Sequence, residues 1–179
     1  SKEVCALEIW DQIVESATST AEPGILMWDN ITKNLPAHEY PAYKTICTNP
    51  CAEIPLSAYD SCRLISVNLK NFVSDPFTDN AAFNFDDFST TVKQAMRLSD
   101  DLVELEIEKV TSIMNSCDTE DEKALWLKLH DAAANGRRTG LGTHGLADAL
   151  ACLKIRYDSD EAIKVIDKIY NTLKVEAYR

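Results

Sequence analysis

Cys62-Arg63-Leu64-Ile65-Ser66-Val67-Asn68-Leu69 is the stretch on which the fold turns. Arg63 to Leu69 is rich in Leu, Ile and Val, a short apolar run that predicts a buried strand. Most of what surrounds it carries helical pattern. Phe88, Val92, Ala95, Leu102, Leu105, Val110 and Ile113 recur at helical spacing and predict a long helix from about Asp86 to Met114, with those residues toward the core. A second helix is expected over about Glu120 to Asn135, with Gly136 at the position just past its end. Arg138 to Leu141 is a candidate strand, Gly142 to Gly145 a tight turn and His144 to Leu153 a short helix. Asp158-Ser159-Asp160-Glu161 is expected to form a capping box with Glu161 at the third helical position. It opens a last helix whose stripe is Ile163, Ile166, Ile169, Tyr170, Leu173 and Ala177. Short strands between helices give an α/β chain weighted to helix.

Upstream, Val4, Leu7, Trp10, Ile13, Val14 and Ala17 predict a first helix. Pro23-Gly24 reads as a turn, Ile25 to Trp28 as the start of a short apolar element, and Asn34 to Tyr43 as loop. Lys44 to Cys47 is a candidate strand, and Asp75 to Asn84 is rich in turn residues. Trp10, Trp28 and Trp126 fall on apolar faces and are expected in the core. The sequence opens and closes in helical pattern, so residues 1–179 are expected to be a single segment cut at both ends from something longer.

The 179 residues fit one domain of ordinary size, and 45% apolar with 26% charged residues is globular composition. No apolar run reaches the ~20 residues of a membrane helix, and no basic-then-apolar leader opens the chain. Lys and Arg number 18 against 29 Asp and Glu, a net charge of −11. Such a chain repels phosphate backbones, which argues against general nucleic-acid binding. Much of the acidic excess lies between Asp86 and Asp131, in runs such as Asp100-Asp101 and Glu104-Leu105-Glu106-Ile107-Glu108, and is expected to form solvated helix faces. Six cysteines in a chain this long and apolar are expected as reduced thiols in a cytoplasmic setting rather than as a disulfide scaffold.

The segment richest in chemistry is Thr48-Asn49-Pro50-Cys51-Ala52-Glu53-Ile54-Pro55. Its two prolines exclude a regular helix. An extended backbone would place Asn49, Cys51 and Glu53 on one face and Pro50, Ala52 and Ile54 on the other, against a core. A carboxylate beside a thiol raises the thiol's pKa and disfavours thiolate nucleophilic catalysis. Radical chemistry needs no thiolate. There the carboxylate can act as general base toward a hydroxyl, and the amide can orient one.

Asn49-Pro50-Cys51-Ala52-Glu53, followed by Cys62 to Leu69, resembles the catalytic core of the large subunit of ribonucleotide reductases, in which an Asn-x-Cys-x-Glu loop and a downstream Cys on a strand make the active site. Glu22-Pro23-Gly24-Ile25-Leu26-Met27-Trp28-Asp29-Asn30 is similar to the family's Pro-Gly-Ile segment. Gly136-Arg137-Arg138-Thr139-Gly140-Leu141-Gly142-Thr143-His144-Gly145-Leu146-Ala147-Asp148 is similar to its later glycine-rich segment, and the helix start Tyr157 to Ala162 follows it. The four matches keep the family's order and span nearly the whole chain.

The resemblance implies part of a ten-stranded α/β barrel. It implies that Cys51 is the thiyl radical taking the 3′ hydrogen of the ribose, that Glu53 takes the 3′ hydroxyl proton, and that Asn49 bonds the substrate hydroxyls. Cys62 is implied as one of two reducing thiols that end as a disulfide, its partner lying upstream of Ser1. The substrate implied is a ribonucleoside di- or triphosphate. The partners implied are the remaining segments of the reductase and an external dithiol such as thioredoxin; a homodimer is admitted. The spacing of Cys51 and Cys62 and the run Glu53-Ile54-Pro55-Leu56 look most like the adenosylcobalamin-dependent class. The runner-up is the class whose radical comes from a separate small subunit. The family often has Gly where Ala52 stands, and Asn and Gly where Arg63 and Ile65 stand; the catalytic positions are kept.

Other readings stand beside this one. His38, Cys47, Cys51 and Cys62 could bind zinc, but no second close pair of ligands follows, and no metal is expected. Gly140, Gly142 and Gly145 could form a dinucleotide loop, yet structural packing is favoured. Cys5, Cys117 and Cys152 are expected to pack or sit inertly. His144 is expected to have a structural role. A non-catalytic acidic assembly module that merely retains the family sequence is the non-enzymatic alternative.

Overall fold

A computed structural model describes residues 3–179. The chain divides into two units, residues 1–58 and 59–179.

In the first unit, α1 spans Ala6–Thr20 and ends on Ala21, whose left-handed backbone (φ 62°) returns its N–H to the Ala17 carbonyl at 3.0 Å. No residue of α1 is buried, and Trp10 is 50% exposed. The core position expected for Trp10 is therefore not found: a helical stripe becomes core only where another element covers it. Ile25, Leu26 and Met27 are exposed and irregular, and α2 begins at Trp28 and runs to Asn34. The loop expected over 34–43 contains two single-turn 3₁₀ helices, Pro36–Glu39 and Pro41–Tyr43. Each starts on a proline, whose fixed φ suits the first helical position and whose missing N–H costs nothing there. The strand expected over 44–47 is displaced to β1, Cys47–Thr48, which pairs antiparallel with β2, Pro55–Leu56.

The second unit is built on β3, Arg63–Asn68. After it come the two-residue strands β4 (Val73–Ser74) and β5 (Ala82–Phe83), which pair antiparallel. Then follow the 30-residue helix α3 (Phe85–Met114), α4 (Glu120–Gly136), β6 (Thr139–His144), α5 (Leu146–Cys152) and α6 (Asp160–Ala177). β3 and β6 pair in parallel, from Arg63 opposite Thr139 to Asn68 opposite His144. Among the described residues the sheets are three, each of two strands. The chain is a helix-rich α/β structure.

Alternation along β3 sorts its residues between two faces. Ile65 and Val67, with Leu141 of β6, join the core formed by Leu69, Phe88, Val92, Ala95, Ala149 and Ile169. Leu64 lies on the other face and is 57% exposed, so β3 is covered on one side rather than both. α3 packs against α4, α6 and both strands. Its buried register is Phe88, Val92, Ala95, Ser99, Val103 and Val110. Leu105, expected in the core, is 60% exposed, while polar Ser99 is fully buried. Ser99 is tolerated because its hydroxyl donates to the Ala95 carbonyl at 3.0 Å, leaving no unmet donor.

Several helix ends differ from expectation for identifiable reasons. Gly136 is the last residue of α4, and the left-handed position belongs to Arg137 (φ 43°). Its guanidinium is held by Asp100 at 2.8 Å and Glu104 at 2.5 Å. The cap of α6 is Ser159, whose Oγ accepts the Ala162 N–H at 3.1 Å. Asp158 is engaged instead by Arg156 at 2.6 and 3.0 Å. The tight turn expected at 142–145 shrinks to Gly145 (φ 72°), because β6 continues through His144. On α6 the buried side carries Ala162 and Ile169, whereas Ile163 is 64% and Tyr170 40% exposed. The rest of the expected stripe holds: Ile169 lies in the core, Leu173 and Ala177 pack against it, and Ile166 is half-buried, so only Ile163 and Tyr170 at its margin face solvent.

Candidate active site

Asn49, Cys51 and Glu53 lie in the loop that joins β1 to β2. The loop is a tight turn, not the extended run expected. The Ala52 N–H donates to the Asn49 carbonyl at 3.0 Å, which closes a β-turn with Pro50 and Cys51 at its centre. Pro50 excludes helix, but its fixed φ equally favours the second position of a turn. Ala52 follows in the left-handed region, at φ 66°. The chain then doubles back: the Asn49 N–H reaches the Ile54 carbonyl at 3.1 Å, and the Ile54 N–H reaches Asn49 Oδ1 at 2.9 Å. The alternation that put three polar side chains on one face of a strand does not apply across this bend.

The three residues therefore differ in circumstance. The Asn49 side-chain oxygen helps to build the loop. Cys51 is in the turn and exposed, and Glu53 is exposed on the returning arm. Ala52, expected against a core, is exposed as well. The base of the hairpin is anchored by Leu56 and Ser57, 7% and 6% exposed, with Ser57 Oγ donating to the Tyr43 carbonyl at 2.9 Å.

Cys62 belongs to the second unit, directly before β3, and is partly buried. A Cβ placed on Gly140 would lie 3.4 Å from its sulfur. Its neighbours on both sides are tied down. Asp60 accepts from Arg138 Nε at 2.6 Å, and Ser61 Oγ donates to Glu106 at 3.1 Å. Arg63 Nε donates to Glu106 at 2.6 Å, and Arg63 Nη1 reaches the Ser61 and Arg138 carbonyls at 3.3 and 3.0 Å. The Arg63 side chain is 8% exposed. Its hydrogen bond holds the Glu106 carboxyl below its usual range, against a burial that alone would raise it. Glu106 belongs to a run expected to form a solvated acidic face, and the charge pattern of α3 gives no sign of its partner.

The remaining candidates are spread out. Among the described residues, no group of three His, Cys, Asp or Glu side chains could hold a metal ion. His38 Nδ1 accepts from the Thr45 N–H at 3.2 Å, and His144 Nδ1 lies 2.9 Å from Ser66 Oγ at the end of the β3–β6 ladder. Cys152 is buried, and burial pushes the Cys117 thiol up. Cys5 is exposed rather than packed; backbone N–H groups of Glu8 and Leu7 hold its thiol below the usual range.

The family model of the ribonucleotide reductase barrel domain matches residues 1–179. The chain belongs to the ribonucleotide reductase family. The family's reductases that resemble it include a vitamin B12-dependent ribonucleoside-diphosphate reductase from Thermoplasma acidophilum, 32% identical over 99% of this chain and 20% of the relative. Another of the same name, from Mycobacterium tuberculosis, is 30% identical over 97% of this chain and 22% of the relative. A ribonucleoside-diphosphate reductase large chain from Neurospora crassa is 26% identical over 96% of this chain and 17% of the relative. The chain thus spans about a fifth of the length of the reductases it matches. No helix among its described residues is long and apolar enough to cross a membrane.

Proposed function

We propose that residues 1–179 are one segment of the ten-stranded catalytic barrel of a ribonucleotide reductase, acting with the remaining segments to convert ribonucleoside di- or triphosphates into 2′-deoxyribonucleotides. The observation that carries this reading is the Asn49–Ile54 turn. It holds the family's Asn-x-Cys-x-Glu residues in a hydrogen-bonded loop with the Cys51 thiol open to its surroundings.

The chemistry assigned to each residue follows from its groups. The Cys51 thiyl radical takes the 3′ hydrogen atom of the ribose and returns it at the end of the cycle. Glu53 accepts the 3′ hydroxyl proton, which helps the 2′ hydroxyl to leave as water. The Asn49 side-chain oxygen supports the loop through the Ile54 N–H, and its amide NH₂ is the group available to the substrate hydroxyls. Cys62 and a second thiol supply two electrons and two protons at the 2′ position and become a disulfide, which an external dithiol such as thioredoxin reduces.

Adenosylcobalamin is the cofactor favoured by the vitamin B12-dependent relatives. When bound, it supplies a radical by homolysis of its cobalt–carbon bond. A hydrogen-atom donor for such a cofactor must be an accessible free thiol, and exposed Cys51 fits that demand.

The complete reductase tests the reading. Cys51→Ser should lower turnover by at least about 10³-fold. Retained activity would refute the catalytic assignment and favour an acidic assembly module. Turnover that depends on added adenosylcobalamin separates this class from one using a small-subunit radical.

A further inference from the structure

We infer that Arg63, Glu106, Asp60 and Arg138 form a positioning network for Cys62, fixing the backbone on both sides of the thiol. The inference rests on the proposed role of Cys62 as a reducing thiol and adds residues that this role does not itself require.

The geometry is specific to the thiol's neighbours. Asp60, Ser61 and Arg63, which flank Cys62, are each tied by their side chains to α3 or to the residue that precedes β6. Arg63 acts as a fork. One nitrogen binds Glu106, and another bridges the Ser61 and Arg138 carbonyls. Glu106 in turn reaches around to the Ser61 hydroxyl. The Cys62 sulfur lies beside Gly140, where an added Cβ would stand 3.4 Å from it. Cys62 is therefore held from its N-terminal side and its C-terminal side.

The network is a poor device for stability alone. Arg63 Nη2 is buried with no hydrogen-bond partner among the described residues, and a buried ion pair with an unmet donor contributes little net. Asp60 adds a carboxylate side chain only 3% exposed. Apolar residues would fill the space at lower electrostatic cost. What the charged groups add is direction, because a planar guanidinium accepts few geometries. A reducing thiol needs that, since small misplacements of a reacting atom slow its step steeply. The network's charged groups bond one another and the backbone around Cys62, so its loss should act on the thiol step and not on binding.

The test uses the complete reductase carrying Glu106→Gln or Arg63→Lys. The latter keeps a positive charge but loses the fork. Both should speed alkylation of Cys62 by iodoacetamide, read by mass spectrometry of its peptide, by at least about threefold through local opening. Both should lower kcat by about tenfold with KM unchanged. Ser61→Ala, which removes one bond, should give the same effects in smaller measure in a fully folded protein. Altered melting temperature with unchanged Cys62 labelling and unchanged kcat overturns the proposal. Cys62→Ser, assayed in parallel, judges the thiol role separately: if it keeps full turnover, that role falls, while the labelling rates still decide whether the network positions the thiol.

Discussion

Gly140 stands across the ladder from Leu64, and a side chain on it would meet Leu64 Cδ2 at 2.5 Å and the Cys62 sulfur at 3.4 Å. The two contacts differ in how easily they yield. Leu64 is a flexible side chain more than half exposed and can swing away, whereas the sulfur sits next to a fixed backbone. Gly140→Ala should therefore change stability by no more than about 1 kcal/mol. It should nevertheless slow Cys62 alkylation. Denaturant unfolding and thiol labelling on the same variant check both halves.

Gly145 presents the opposite case. Its φ of 72° lies in the left-handed region, and a Cβ there would come 2.5 Å from Asn68 Oδ1, an atom already accepting the Lys70 N–H. Neither strain nor clash can relax cheaply. Gly145→Ala should destabilise by about 1–3 kcal/mol, seen as a lower denaturant midpoint with the slope unchanged.

Arg137 combines left-handed backbone with two ion pairs. Arg137→Gly loses the pairs but relieves the backbone; Arg137→Ala loses the pairs and keeps the strain. The alanine variant should be the less stable of the two by about 1 kcal/mol. Thermal melts of both in low and high salt check this. The wild-type advantage over glycine should shrink as salt screens the exposed pairs.

The Glu106 carboxyl is held below its usual range by Arg63, so the folded state binds this proton less readily than the unfolded chain. Its contribution to stability is fully present above the unfolded value of about 4.3 and is lost as pH falls through the lower folded value. The stability gap between wild type and Glu106→Gln should be constant from neutral pH down to about 5. It should close progressively at more acid pH, as followed by urea unfolding across the range.

The elements that could be read from sequence were those with strong local pattern. The long helix α3 lies within a residue of its expected start, and β3 falls where Leu, Ile and Val placed it, while of the expected four-residue turn only Gly145 remains. What sequence could not give was which side of a pattern is covered. Trp10, Leu105 and Ile163 have the right spacing and are exposed, because coverage depends on elements far away in the chain. The candidate site followed the same rule. Residue types at 49, 51, 53 and 62 named a chemistry. The bend at Pro50 and the Arg63–Glu106 pair came only from structure, since a proline forbids helix without choosing between strand and turn, and a carboxylate on α3 does not declare its guanidinium.

The pairing of β3 with β6 has a consequence for how the molecule assembles. Arg63 and Arg138, bonded across the ladder, are 75 positions apart in the chain. α3 and α4 lie between them and can meet through a short connection, so a helical hairpin has the entropic advantage of forming early. Such a hairpin, once formed, shortens the loop that the ladder must close. Bringing the Cys62 segment against its native neighbours thus carries a chain-entropy cost that the local contacts of the helices do not.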